Sequence, residues 1–476
     1  MSLSNPDLAP TSPERRTWNV WHIAALWVGM AVCIPTYTLA SGLVDKGWSW
    51  QAAVGSVALG NLVVLVPMVL NAHAGTRYGI PFPVLVRSSF GVLGANVPAI
   101  LRALVACGWF GINTYIGGQA LAQMVRVLFL DGAGVGQRLP LLGIEPLELA
   151  CFLVFWAAQL LILLKGIESI KVLETWSAPF LLGIGVLLLA WAINRVGSLS
   201  AMLENPRVEG APAVSAVLGA GLTTAVSFWG TLALNIPDFS RFARSQRDQI
   251  LGQALGLPAT MALFAFIGAA VTNATFLIFG TRISDPVGLL GRIGGPLVTV
   301  LAMFALLVAT LTTNVAANIV GPANDFSNVA PSKISFKLGC VITAVIGLLI
   351  MPWRLYNDAA QYLFTWLLGY GAMLGSVAGV MIADYWLLQK RNLVVDDLYR
   401  RGGRYEYHRG FNPVALVALA CGILPNVPGF LGALGVVEVG ALWQGIYQWA
   451  WFVAFLLGAS VHLGLSFVAR SHGRPA

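Results

Sequence analysis

Thr312 and Thr313 are adjacent hydroxyls in an uncharged stretch, Ala309–Pro322 (ATLTTNVAANIVGP), and Asn318 lies about a turn beyond them. The stretch sits within an apolar run from Pro296 to Ile319, long enough to cross a membrane at about 1.5 Å per residue and roughly 20 residues per crossing. Polar side chains at that depth face protein, a cavity or a ligand. Neighbouring hydroxyl oxygens are the ligand type a hard monovalent cation accepts. An asparagine offers a paired donor and acceptor, which suits the amide-like edge of a ring. The same residues, with Thr310 and Asn314, are equally able to bond neighbouring helices or the carbonyls one turn back. Both readings stay open on this stretch alone.

A second group lies in the sequence Trp109-Phe110-Gly111-Ile112-Asn113, mid-way along another apolar run. Trp109 and Asn113 are four apart and share a helix face. An indole beside an amide suits a planar heterocycle, since the ring stacks while the amide reads its edge. Base stacking on an aromatic side chain is worth about 1–3 kcal/mol in nucleic-acid complexes. Trp229, in Ser227-Phe228-Trp229-Gly230-Thr231, is placed to close the opposite face. Most of the 16 tryptophans must instead serve packing or the membrane interface.

The elements that position these groups are membrane helices. The 476 residues are 57% hydrophobic and 10% charged, with mean hydropathy +0.77, which leaves almost no room for a soluble domain. Apolar runs fall at 21–43, 52–70, 98–125, 147–164, 173–193, 213–237, 256–280, 295–320, 336–353, 360–388, 413–433 and 441–469, twelve spans in all. With the N-terminus inside, nineteen Lys and Arg fall on the inner side and eight on the outer, so both termini are expected in the cytoplasm of a multi-pass plasma (inner) membrane protein. The net charge of +8 reflects those basic loops and not a nucleic-acid partner. The five cysteines lie mostly in apolar runs without metal-type spacing, so neither disulfides nor a redox site is expected. Residues 1–20 lack the apolar core of a signal peptide.

Helix-breaking residues recur in the first span of two putative halves: Gly29 and Pro35 in span one, Gly230 and Pro237 in span six. Paired breaks of this kind point to an inverted-repeat transporter of five plus five spans with two appended. The expected organisation is a tail (1–20), a first repeat (21–195), a second repeat (210–390), a solvated cytoplasmic loop (391–411), two appended spans (412–469) and a second tail (470–476). Residues 17–43, 103–125, 210–237, 293–324 and 359–383 carry no Asp, Glu, Lys or Arg. A site built from those spans would take a neutral polar ligand and would lack a buried carboxylate. Asp238 and Asp384, at span ends, are expected to be structural or gate-lining groups served by solvent, Arg241 or Lys390. No HExxH, paired intramembrane carboxylates or mid-span Ser/His dyad appears, which argues against an enzyme.

Several separated motifs together resemble the nucleobase–cation symport family 1, over most of the chain. They are LWVGMAVCIPTYTLASG, AGTRYGIPFPVLVRSSFG, GWFGINTYIGGQA, NIPDFSRFARSQRDQ, TTNVAANIVGPANDF and GVMIADYWLLQKRNLVVDDLYRRGGRYEYHRGFN. The resemblance implies an all-α, twelve-helix fold with helices 1 and 6 broken, as in sodium symporters. It implies symport of a small neutral nucleobase or ureide such as uracil or allantoin. Cytosine, purines, hydantoins, thiamine and passive facilitation without ion coupling are the alternatives.

By the same resemblance, Trp109 and Trp229 stack the substrate and Asn113 and Asn318 read it. Cys33 and Phe228 stand where a hydantoin-carrying member has a Gln and a Gly, and another Gln there matches Asn113, so fine specificity is expected to differ. A sodium ion would lie among the carbonyls of Gly29, Val32 and Ala309 and the hydroxyls of Thr312 and Thr313, with a proton as the alternative coupling ion. No other cofactor is called for, and the oligomeric state is left open.

Overall fold

The computed structural model describes residues 3–130, 136–164, 167–204, 214–293, 295–355 and 359–471. The longer helices are α1 (Val20–Ala31), α2 (Ile34–Asp45), α3 (Trp50–Tyr78), α4 (Asn96–Phe129), α5 (Pro146–Leu163), α6 (Ile167–Val196), α7 (Val214–Phe228) and α8 (Gly230–Asn235). They continue with α9 (Gln246–Phe279), α10 (Pro296–Asn318), α11 (Val320–Val329), α12 (Phe336–Leu349), α13 (Ala359–Ile382), α14 (Pro413–Ile423), α15 (Val427–Ala433) and α16 (Ala450–Ser471). Among the described residues, nine helices are long and apolar enough to cross a membrane, or ten if α1 and α2 count as one bent span. The sixth and ninth apolar runs of the sequence correspond to the shorter helices Leu218–Phe228 and Phe336–Leu349.

Three interruptions organise the bundle, and proline chemistry accounts for two. Pro35 has no N–H to give the carbonyl of Ala31, and its ring would collide with that carbonyl in a continuous helix. Accordingly α1 ends at Ala31 and α2 starts at Ile34 with Pro35 in its first turn. The two segments are bent by 55°. Only Val32 and Cys33 lie outside helix, so the break expected from Gly29 and Pro35 is confined to two residues. Likewise Pro322 cannot bond the carbonyl of Asn318, and α10 gives way to α11 at Ile319 (φ −121°, ψ −42°). In the sixth span the break is one residue, Trp229 (φ −99°, ψ 11°). Its N–H bonds Val226 O at 3.3 Å, and the Ala233 N–H bonds Trp229 O at 2.8 Å. The break expected from Gly230 is confined to this one residue because no proline lies within Phe228–Thr231. The next one, Pro237, ends α8 instead.

Segments expected on one side of the membrane meet on one face of the bundle. Asn5 Nδ2 donates to Ser327 Oγ at 2.7 Å and to Pro331 O and Ile334 O. The Asp7 carboxylate accepts the Phe336 N–H, and the Tyr399 hydroxyl donates to Leu8 O at 2.7 Å. Arg87 is fully buried there, giving Asn328 Oδ1 and Leu398 O its guanidinium hydrogens. Residues 391–411 are therefore only partly a solvated loop, since Leu398 and Tyr405 are buried against this layer. The opposite face holds the Arg126–Glu145 ion pair at 2.5 Å and the contact of Arg354 with Leu141 O at 2.6 Å.

Candidate functional site

The three breaks converge. Cys33 from the α1–α2 junction, Trp109 and Asn113 from α4, Phe228 and Trp229 from the α7–α8 junction, and Asn318 from the end of α10 all line one cavity. The spacing of Trp109 and Asn113 on one helix face made that pair legible, whereas the other four meet them only through the fold.

The aromatic wall is not a simple pair of facing indoles. The ring of Phe228 stands edge-on to Trp109, with centroids 5.4 Å apart at 75°, and edge-on to Trp229 at 5.0 Å and 89°. Trp27 backs Trp229 at 5.2 Å and Trp366 backs Trp109 at 5.5 Å. The Trp109 indole N–H donates to the Tyr370 hydroxyl at 3.2 Å, and that hydroxyl donates to Ser227 O at 2.9 Å. Trp109 is thereby held in one orientation through a second residue, so its face and not its N–H is available to a ligand.

The polar edge has a similar chain of support. Asn318 Nδ2 donates to Asn314 Oδ1 at 2.9 Å. Asn314 in turn donates to Gln159 Oε1 at 2.7 Å, Thr114 Oγ1 at 3.1 Å and Phe110 O at 3.1 Å. Gln159 closes the circuit by donating to Thr114 Oγ1 at 3.1 Å. With one amide hydrogen committed to Asn314, Asn318 keeps its carbonyl oxygen for a ring N–H and its second amide hydrogen for a ring C=O. Asn113 Oδ1 and Trp229 Nε1 are buried with no hydrogen-bond partner among the described residues. Orphaned polar atoms of this kind await a ligand or water, because leaving one unmade costs about 1–3 kcal/mol.

A short distance along α10, hydroxyls meet the end of α1. Thr312 Oγ1 lies 3.2 Å from Gly29 O and 2.9 Å from Ala309 O. Thr313 Oγ1 lies 3.2 Å from Gly29 O and 3.1 Å from Met30 O, and Thr313 also lines the aromatic cavity. Val32 packs against Ala309 in a small apolar cluster with Leu181 and Phe264. Carbonyls and hydroxyls are hard, neutral oxygen donors, the set that suits an alkali or alkaline-earth cation and not a soft metal. Hydrogen bonds hold the hydroxyls against the carbonyls, so a cation would take the place of those bonds.

Several participants escaped sequence reasoning. Gln159 is a buried amide in an otherwise apolar run, and the rule that polar residues in membrane spans have work to do would have flagged it. Glu174, at the start of the fifth span, is buried against Gly29, although uncharged spans alone were expected to build this region. Tyr370 and Trp366 sit in an aromatic-rich run with no local signal. Asp238 and Asp384 are buried, and their bonds run otherwise than expected. Asp238 accepts from the Phe82 N–H and Asn235, while Asp384 meets Ser89 and His462 at 3.2 and 3.4 Å. Burial excludes solvent from both carboxylates, Lys390 forms no ion pair with Asp384 among the described residues, and the Arg241 charge acts on Asp238 without a hydrogen bond to it.

Comparison with known proteins places this geometry in context. Residues 10–454 match the family described as permease for cytosine/purines, uracil, thiamine, allantoin. A purine-uracil permease of Arabidopsis thaliana is 46% identical over 464 residues, covering 97% of this chain and 77% of its own. An allantoin permease of Bacillus subtilis (strain 168) is 41% identical over 457 residues, covering 96% of this chain and 91% of its own. Among solved structures, Mhp1, a nucleobase-cation-symport-1 family transporter, in a closed conformation with bromovinylhydantoin bound, superposes with a TM-score of 0.80 at 27% identity. That match covers 99% of this chain and 97% of the other.

Proposed function

Since the chain belongs to the family of permeases for cytosine/purines, uracil, thiamine and allantoin, we propose that this transporter moves a small neutral nucleobase or ureide ring, uracil or allantoin in type, together with a cation. The carrying observation is the single cavity shared by Trp109, Asn113, Phe228, Trp229 and Asn318, which Thr313 joins to the hydroxyl–carbonyl cluster. A planar ring entering there loses water from both faces against aromatic walls. Its N–H groups then meet the Asn318 oxygen and the unpaired Asn113 oxygen, a ring C=O accepts from the unpaired Trp229 indole N–H, and each such bond restores part of the lost hydration. Cys33 at the α1–α2 junction and Phe228 shape the remaining wall and set which ring substituents fit.

Sodium is the cation this reading favours. Gly29, Val32, Ala309, Thr312 and Thr313 would hold it, with the Met30 carbonyl beside Thr313 as a further donor, and the ion would supply a positive charge that ties α1 to α10. Because Thr313 belongs to both groups of residues, ordering one orders the other, which is the coupling free energy a symporter needs. The full architecture that fits is twelve spans in a five-plus-five inverted repeat with two appended. Alternating access is by movement about the interrupted helices, and both termini lie on the cytoplasmic side of the plasma (inner) membrane.

The decisive experiment is radiolabelled uptake of uracil, allantoin, cytosine, hydantoin and thiamine, with and without sodium at two pH values. Sodium-stimulated uptake of uracil or allantoin upholds the reading. Uptake that persists unchanged after all cation gradients are collapsed identifies a passive facilitator and rejects it.

A further inference from the structure

The least expected group beside the cation cluster is a carboxylate. Glu174 is 1% exposed, and neither of its oxygens has a hydrogen-bond partner among the described residues. It lies so close to Gly29 that a methyl group on that glycine would overlap its Oε2. Helix periodicity explains the placement: Glu174, Ala178 and Leu181 share one face of α6, all three are buried, and Leu181 packs on Val32 and Ala309. The same face therefore brings the carboxylate against the residue whose carbonyl faces both threonine hydroxyls, at 3.2 Å each.

A carboxylate in a dry interior without a counter-charge or hydrogen bonds is strongly disfavoured, and no ion pair involving Glu174 forms among the described residues. The neighbouring oxygen donors have the complementary defect. Gly29, Met30, Ala309, Thr312 and Thr313 are all neutral, so a cation held by them alone would bring an unbalanced positive charge into the same low-dielectric region. Resting on the cation-coupled reading above, we propose that Glu174 is the anionic member of the cation site and supplies the negative charge that balances the bound ion. Small residues make this possible: with any side chain at position 29 the carboxylate would have to withdraw.

The test uses the full-length protein purified in detergent, with sodium titrated against choline at constant ionic strength and thermal unfolding as the readout. Sodium should raise the melting temperature of the wild type, and Glu174→Gln, which keeps volume but removes charge, should raise the half-saturating sodium concentration at least tenfold. Thr313→Ala serves as the control for the cation site itself. A Glu174→Gln protein that responds to sodium as the wild type does, while Thr313→Ala does not, overturns the role of Glu174 and leaves the coupled reading standing. A wild type indifferent to sodium overturns both. If Glu174→Gln does not fold, carbodiimide labelling of Glu174 in the wild type decides the matter. Labelling that falls with sodium but not choline supports the proposal, and labelling unaffected by sodium rejects it.

Discussion

The ring of Phe228 stands edge-on to the indole of Trp109, 5.4 Å between centroids at 75°, and fills space between the two tryptophans of the cavity. Phe228→Ala should open that space. Competition binding is expected to show a gain of about tenfold or more for hydantoins with bulky substituents, about 1.4 kcal/mol. Uracil or allantoin should gain nothing, because a small ring does not reach the vacated volume. Equal changes for small and bulky rings would place Phe228 outside the specificity wall.

Trp109 offers its face while its N–H is held by Tyr370. Trp109→Ala should weaken substrate binding about tenfold or more, and Trp109→Phe should be milder because a π-face remains. Asn318→Ala should weaken binding by a similar factor through loss of an edge acceptor. Binding to purified, folded variants separates these effects from lost expression, and unchanged affinity in both alanine variants would end the stacking-pocket account.

Asn314 does not line the cavity but orients Asn318 through a 2.9 Å hydrogen bond. Asn314→Ala leaves the Gln159 oxygen buried without its partner, which should destabilise the protein by about 1–3 kcal/mol. Substrate affinity should fall with it, since Asn318 loses its anchor. Thermal unfolding and binding on the same preparation check the two effects together.

Thr313 bridges the hydroxyl cluster and the cavity. Thr313→Ala should flatten the dependence of substrate affinity on sodium, whereas Thr313→Ser, which keeps the oxygen, should preserve it. Affinity titrated at several sodium concentrations reads the difference.

Arg102 and Asp325 form a fully buried ion pair at 3.4 Å. Asp325→Ala strands the guanidinium and should destabilise by about 3–5 kcal/mol, seen as poor surface expression and early melting. The pair Arg400–Asp397 has an arginine 65% exposed, and Arg400→Ala should change stability by about 1 kcal/mol or less.

What could be read from the chain alone follows from local rules. Hydropathy marks where helices cross lipid, since no backbone can span it unpaired. Pro35 announces a break because its missing N–H acts within one turn. Trp109 and Asn113 share a face at any place in the fold. Thr312, Thr313 and Asn318 stand out because polar groups in an uncharged span need a reason. Contacts between helices obey no such local rule. That Trp229 breaks its helix for a single residue, that Phe228 wedges between two indoles, and that Gln159 and Asn314 stand behind Asn318 depend on which faces meet across the bundle. Glu174 shows the limit best. Its own neighbourhood reads as the edge of a span, and only the packing of α6 on a glycine of α1 turns it into a buried charge beside the threonines. Sequence determines which groups must be satisfied, and tertiary packing decides by whom, because a hydrogen bond or ion pair works over about 3 Å while its partners here lie more than a hundred residues apart in the chain.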